Sequence, residues 1–324
     1  MTVITETPKL VTVFGASGFV GRHVVRALAK RGYYIRAAGR ERELATYLQP
    51  IGNMGQVVHV QANLRVPASL TRAMAGVDHV VNLAGILAEG GRQTFEAVHA
   101  EGAGAVAKAA REAGIGVTHL SALGADPQSR SVYARSKALG EQAVFAAAPD
   151  ATVLRPSVVF GPEDSFFNRF AEMARFSPAL PLIGGGRTRF QPVYVGDVAE
   201  AVARAVDGTL DRGRIYELGG PEVLTFRQCL ERMLDVVGRR RLLLPIPWGI
   251  AEILGSIGNR VPFAPITRDQ VELLKTDNVV SEAARAEGRT LAGLGVEPQS
   301  VAALLPTYLW HFRVGGQFAN RKEV

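Results

Sequence analysis

The stretch Leu10 to Arg22, LVTVFGASGFVGR, constrains this chain more than any other. Val11, Val13 and Phe14 make an apolar run of strand character. Gly15, Gly18 and Gly21 follow, and Val20, Val24, Val25 and Leu28 then recur at helical spacing. A strand that enters a glycine-rich turn and opens a helix is the fingerprint of a dinucleotide pyrophosphate site. Its first glycine permits the tight turn, its second lets backbone approach the phosphates, and its third lets helix and strand pack closely. The anion rests on the helix N-terminus, where unpaired amides and the helix dipole attract negative charge. Gly15, Ser17, Gly18, Phe19, Val20 and Gly21 are therefore the residues expected along a pyrophosphate. With 35 glycines in the chain, spaced triplets arise by chance, so the strand before and the helix after carry the assignment.

The strand-helix alternation continues downstream. Strands are expected at Tyr33 to Ala38, Gln56 to Gln61, Asp78 to Leu83, Gly116 to Leu120 and Ala151 to Leu154, with a long alanine-rich helix from Thr94 to Ala113. Such alternation marks an α/β fold, a doubly wound parallel sheet of the Rossmann type. At 324 residues the chain exceeds one typical core. A division into residues 1–160, completed by return segments around 189–220, and a smaller, mainly helical C-terminal lobe over 161–324 is expected. Arg40 ends the second strand, where an acidic residue selects NAD and an arginine accommodates the extra phosphate of NADP. With Arg42 close by, the expectation is NADPH; the alternative is a solvated arginine opening a surface helix.

The glycines, spaced G-x-x-G-x-x-G, resemble those of short-chain dehydrogenase/reductase proteins and their extended epimerase relatives. That resemblance implies roles for Asn63 and Leu64 beside adenine, for Ala84 and Gly85 in an N-x-A-G-like segment beside the cofactor, and for Pro156, Ser157 and Val158 at the nicotinamide. Tyr133 and Lys137 form an intact Y-x-x-x-K, and Ser121 lies upstream at a strand end. Residues four apart on a helix share a face, so the pair can converge on one ligand. A lysine charge beside the tyrosine favours phenolate, giving an acid or base near neutral pH, and a serine hydroxyl polarises a carbonyl. Asp197, in the V-x-D-V element that follows Gln191, reads as a helix cap rather than a catalyst.

Composition closes off other classes. A single cysteine, Cys229, excludes an intramolecular disulfide and a multi-cysteine metal site, and the six histidines show no short ligand spacing, so no metal is expected. The net charge of +7 favours an acidic partner, but arginines are scattered rather than gathered into a nucleic-acid-binding arm. Met1 to Lys9 lacks a signal-peptide core, which predicts a cytoplasmic chain. The run Arg239 to Gly258, RRRLLLPIPWGIAEILGSIG, is too short and interrupted to span a bilayer. Its basic start and apolar, tryptophan-bearing body suit either a membrane surface or partner, or a buried helix.

Taken whole, the sequence resembles the NADPH-binding accessory subunit of respiratory complex I, the alpha-subcomplex subunit nine family, in a bacterial form. The stretches LRPSVVFGPEDSFFNRF (Leu154 to Phe170), QPVYVGDV (Gln191 to Val198) and PFAPITRDQVELLK (Pro262 to Lys275) carry that resemblance. It implies an NADPH-loaded, non-catalytic subunit bound to other complex I subunits of the peripheral arm. Its place would be peripheral, on the cytoplasmic face of the inner membrane, with Tyr133 and Lys137 gripping the nicotinamide ribose and Arg40 the phosphate. Intact Ser121, Tyr133 and Lys137 keep a second reading open: an active NADP-dependent short-chain reductase or epimerase on a small carbonyl or nucleotide-sugar substrate.

Overall fold

The computed structural model describes residues 9–41, 43–258 and 267–316. Arg42, the segment before Lys9, residues 262–266 of the Pro262 to Lys275 stretch and the final eight residues lie outside the described ones. Apolar sequence runs become strands covered on both faces: in β1 (Leu10–Phe14), Val11, Thr12 and Val13 are fully buried. The helix α1 (Phe19–Lys30) follows and buries Gly21, Val24, Val25, Leu28 and Ala29, the face its periodicity predicts. Strands β2 (Tyr34–Gly39), β3 (Val57–Gln61), β4 (His79–Asn82), β5 (Gly116–Leu120) and β6 (Thr152–Pro156) come next, with α2 (Pro67–Met74) between β3 and β4.

Among the described residues these strands join one sheet of seven, ordered β11-β6-β5-β4-β1-β2-β3, its outer strand being β11 (Ile215–Leu218). The pairings from β3 across to β6 are all parallel. Strand order runs outward in both directions from the β1/β4 junction, so the chain switches direction there. In a doubly wound sheet the crevice outside the strand ends at such a switch is where ligands bind.

The expected helix from Thr94 to Ala113 is two pieces, a π-helical turn at Glu96–Glu101 that runs into α3 (Gly102–Glu112). The wider turn carries His99 inward, where it is buried. Helix α4 (Val132–Ala147) carries the Y-x-x-x-K residues. A short β7 (Val159–Phe160), α5 (Phe167–Phe176), β8 (Ala179–Ile183), β9 (Arg189–Phe190) and β10 (Val193–Tyr194) follow. The Gln191 to Val198 segment does not return to the large sheet: β10 pairs with β7, and the seventh strand is β11. Two-residue strands carry too few alternating positions to announce a partner. Asp197 is not a cap either. It lies inside the first turn of α6 (Val195–Asp207), and its carboxylate accepts from the Gln299 amide at 2.8 Å.

The rest comprises β12 (Leu224–Thr225), α7 (Phe226–Val237), β13 (Leu242–Ile246), α8 (Trp248–Gly258), α9 (Arg268–Leu273), α10 (Glu282–Ala286) and α11 (Val301–Tyr308). The run from Arg239 thus opens as a strand, β13, parallel to β8, and only then becomes a helix. By internal contacts the described chain forms two units. One comprises the residues up to Pro127, Arg135–Arg155 and Val198–Tyr216; the other comprises Gln128–Ala134, Pro156–Asp197 and the residues from Glu217 onward. The first is cored by aliphatic side chains such as Leu70, Val80, Val106, Val117 and Val153. The second holds a phenylalanine cluster in which Phe166, Phe190 and Phe226 meet at ring separations of 5.8 to 6.2 Å.

Candidate dinucleotide site

The three glycines of the turn differ in what they tolerate. Gly15 has φ +78°, and a Cβ there would meet the Leu83 carbonyl at 2.9 Å, so the turn lies hard against the chain leaving β4. A Cβ on Gly21 would fall 2.1 Å from the Gly15 oxygen, which is impossible without moving the helix. At Gly18 the nearest atom to such a Cβ is the Gly15 oxygen at 3.3 Å, and Gly18 itself is exposed. The first and third glycines are thus required by packing. The second leaves a bare backbone surface at the start of α1, a helix with no side-chain cap and no acidic residue in its first turn. Oriented amides without a competing carboxylate suit an anion.

Around this turn, Ser17 is partly buried and its carbonyl accepts from the Tyr47 hydroxyl, while the Arg22 guanidinium lies 5.5 Å from the Tyr47 ring centre. Tyr47 belongs to no motif legible in the sequence. Phe19 packs edge-on against His23, and Val20 is partly buried. Arg40 follows the last residue of β2 and is exposed, its carbonyl receiving Gln61 Nε2 at 3.3 Å. Asn63 uses its Oδ1 on the Arg65 amide, a turn contact that leaves the side-chain amino group for other partners. Leu64 packs into the core against Gly102. Ala84 donates its amide to Asn82 Oδ1 at 3.1 Å, and Gly85 is exposed, with Lys137 Nζ and His99 Nε2 each 3.5 Å from where its Cβ would be.

The far end of the site is a buried polar group. Lys137 is 6% exposed and donates to the Leu120 carbonyl at 3.2 Å; burial pulls its pKa down to about 8, against the raising effect of Glu141. Next along from Leu120, Ser121 is 3% exposed and its hydroxyl has no hydrogen-bond partner among the described residues. An orphaned buried hydroxyl costs free energy unless a ligand or water satisfies it, which fits a bound group at this end. Two histidines that sequence reasoning passed over stand beside it. His99 Nε2 accepts the Ile86 amide at 3.0 Å, so Nδ1 carries the proton and donates to Ser136 Oγ at 2.9 Å. His119 Nδ1 lies 3.2 Å from Asn82 Nδ2, leaving a buried Nε2 without a partner among the described residues. Burial and then Lys137 hold both imidazoles neutral, with pKa values near 3.

Tyr133 occupies the first turn of α4, one turn before Lys137, and is partly buried. The expected pull toward phenolate is not met. Burial and the neighbouring Asp269 carboxylate push its pKa up to about 12, so it stands as a phenol, a hydrogen-bond donor rather than a base. Pro156 and Ser157 are buried and Val158 partly so. Their polar groups already have partners: the Ser157 hydroxyl and the Val158 amide both donate to Asn278 Oδ1, at 2.6 and 3.0 Å. No cluster of His, Cys, Asp or Glu that could hold a metal occurs among the described residues, and none of their helices is long and apolar enough to cross a membrane.

Residues 11–219 match the model of the NAD dependent epimerase/dehydratase family. The mitochondrial NADH dehydrogenase [ubiquinone] 1 alpha subcomplex subunit 9 of Arabidopsis thaliana is 36% identical over 94% of this chain and 78% of its own. The protein of the same name in Rattus norvegicus is 33% identical over 89% of this chain and 76% of its own. A ceramide reductase of Caulobacter vibrioides is 30% identical over 88% of this chain and 90% of its own. Among solved structures, the NADPH-dependent quinone oxidoreductase QOR2 of Escherichia coli shares the fold at a TM-score of 0.70 and 23% identity, over 93% of this chain and 99% of its own. The chain belongs to the NAD dependent epimerase/dehydratase family and, within it, to the complex I alpha-subcomplex subunit 9 family.

Proposed function

We propose that this chain is an NADPH-holding accessory subunit of respiratory complex I that stabilises assembly without turnover. The observation that carries the reading is kinship over 94% of the chain with a complex I subunit. The strands β1 to β6 and their connecting helices hold most of the nucleotide, and the C-terminal part that carries β13 and α8 is the docking lobe. In this reading the pyrophosphate lies along Gly15, Ser17, Gly18, Phe19, Val20 and Gly21. The adenosine half, with its extra phosphate, lies by Arg40, Asn63 and Leu64. The nicotinamide end lies by Ala84, Gly85, Ser121, Tyr133, Lys137 and the backbone of Pro156 to Val158.

Bound NADPH supplies a hydride donor. The residues around it are suited to holding: Tyr133 remains a phenol, Lys137 a buried cation, and both buried histidines are neutral. Docking is supported by apolar side chains left exposed on β13 and α8, namely Leu242 at 69%, Leu244 at 53%, Ile250 at 54% and Ile253 at 63%. A peripheral position on the cytoplasmic face of the inner membrane, against other subunits of the peripheral arm, gives that surface a cover.

The test is to isolate the tagged chain from its own membranes. Co-migration with NADH:quinone reductase activity, and no oxidation of its NADPH by a panel of carbonyl compounds, supports the reading. A second reading, an NADP-dependent reductase or epimerase, is favoured by the intact Ser121, Tyr133 and Lys137 and by the reductase relative. Steady turnover by the soluble chain would put it first. Arg40→Glu tests the phosphate assignment separately, and unchanged NADPH retention would remove it.

A further inference from the structure

The stretch from Thr267 to Lys275 belongs to no dinucleotide motif, yet one of its side chains reaches the first turn of α4. Asp269 Oδ1 accepts the Val132 amide at 2.6 Å, and Oδ2 accepts both the Ser131 hydroxyl at 2.9 Å and the Tyr133 amide at 3.3 Å. Ser131 in turn accepts the Ala134 amide at 3.2 Å, the usual capping contact. The first three amides of α4, which in most helices face water, are thus all taken: two by a carboxylate more than a hundred residues away and one by the local serine. Bonds to an ionised acceptor are stronger than neutral ones, and a carboxylate at a helix N-terminus also matches the helix dipole.

Asp269 is itself held in place. Thr267 and Gln270 form a reciprocal capping box at the start of α9. Gly255 of α8 approaches so closely that a Cβ there would lie 2.8 Å from the Arg268 amide. Lys275, just past α9, bridges Glu272 at the end of that helix, at 2.8 Å, to Glu252 of α8, at 2.6 Å. A short helix with so many anchors does more than terminate a loop.

The geometry points to Asp269 as a positioning residue for Tyr133: its carboxylate clamps the opening turn of α4 and so fixes how the phenol is presented to a bound nicotinamide nucleotide. The inference rests on the NADPH-holding reading above. Asp269 does not touch the ligand; it acts through the tyrosine. Burial, and after it the same carboxylate, keeps the tyrosine protonated. Asparagine is an ordinary substitute for aspartate at a helix cap, but not here, because both oxygens are acceptors and an amide would turn its NH₂ toward the Tyr133 N–H.

The test uses the full chain, with NADPH as probe and its dissociation rate followed by fluorescence on dilution into excess unlabelled NADP. Asp269→Asn should raise that rate about tenfold, the loss of a charge-assisted bond, and Asp269→Glu should restore part of it. In a Tyr133→Phe background, Asp269→Asn should add less than about twofold, since the two act through one group. Exchange of the Val132 and Tyr133 amides in the ligand-free protein should quicken in Asp269→Asn. Should that variant not fold, Ser131→Ala, which removes one bond to the carboxylate together with the Ala134 cap, should move dissociation and exchange in the same direction. Full additivity with Tyr133→Phe, or an unchanged dissociation rate, overturns the inference. Failure of the wild-type chain to take up any dinucleotide instead defeats the underlying reading, and the inference with it.

Discussion

Glu141 and Arg155 face each other across α4 and β6 in a two-bond ion pair, Nε to Oε1 at 2.8 Å and Nη2 to Oε2 at 2.5 Å. Glu141 is 4% exposed and lies one helical turn beyond Lys137. Its charge is therefore matched by an arginine and not left to the lysine alone. Removing one partner of a buried pair leaves an uncompensated charge, at a cost of about 3–5 kcal/mol. Arg155→Met is expected to lower the midpoint of urea unfolding accordingly, and an unchanged midpoint would show the pair to be energetically idle.

Lys137 is held at a cost that a ligand would repay. Burial draws its pKa from 10.5 to about 8, so below that pH the folded chain carries a cation it solvates poorly. Lys137→Met removes this penalty and also the bond to the Leu120 carbonyl. The ligand-free variant should be more stable at pH 7 by on the order of 1–2 kcal/mol, and NADPH retention should fall. Thermal unfolding with and without NADPH reads both effects. Loss of stability together with unchanged retention would contradict the assigned role.

Gly18 and Gly21 should separate binding from folding. Gly18→Ala places a methyl on the open side of the turn, with its nearest neighbour 3.3 Å away. The variant should fold with little change in melting temperature while losing NADPH. Gly21→Ala places one 2.1 Å from the Gly15 oxygen and should destabilise the whole chain. Unchanged NADPH retention in Gly18→Ala would show that the open side is not a ligand surface.

Acid should weaken the fold through His99 and His119. Unfolded histidine takes up a proton near pH 6.5, whereas the two buried rings do so only near 3. Between those values the unfolded chain binds more protons, so this contribution is fully present above 6.5 and is lost as the pH falls toward 3. Each ring contributes a slope of up to about 1.4 kcal/mol per pH unit. Urea unfolding at pH 7, 6 and 5 measures it, and His119→Asn should flatten the dependence. A wild-type slope no steeper than that of the variant would contradict the assignment.

Much of the fold was legible because its signals are local. The β5 boundaries follow from one apolar run, and the turn from Gly15 to Gly21 follows from three spacings and the strand and helix around them. What stayed hidden is non-local. Nothing near Asp269 in the chain says that it reaches Val132, and nothing near His99 says that a π-helical turn carries it in beside Lys137. The phenolate expected at Tyr133 came from its neighbour in the motif, whereas burial, and after it a carboxylate more than a hundred positions away, acts in the opposite direction. Ser157 read as a cofactor contact because its motif continues, but its hydroxyl is already engaged by Asn278.

The most direct measurement is the nucleotide released on denaturing complex I extracted from membranes that contain this chain. The expected result is NADPH, about one per copy of the chain, lost from the complex when Lys137 is replaced by methionine. A complex that releases no dinucleotide, or a chain recovered outside the complex while turning over NADPH, would contradict it.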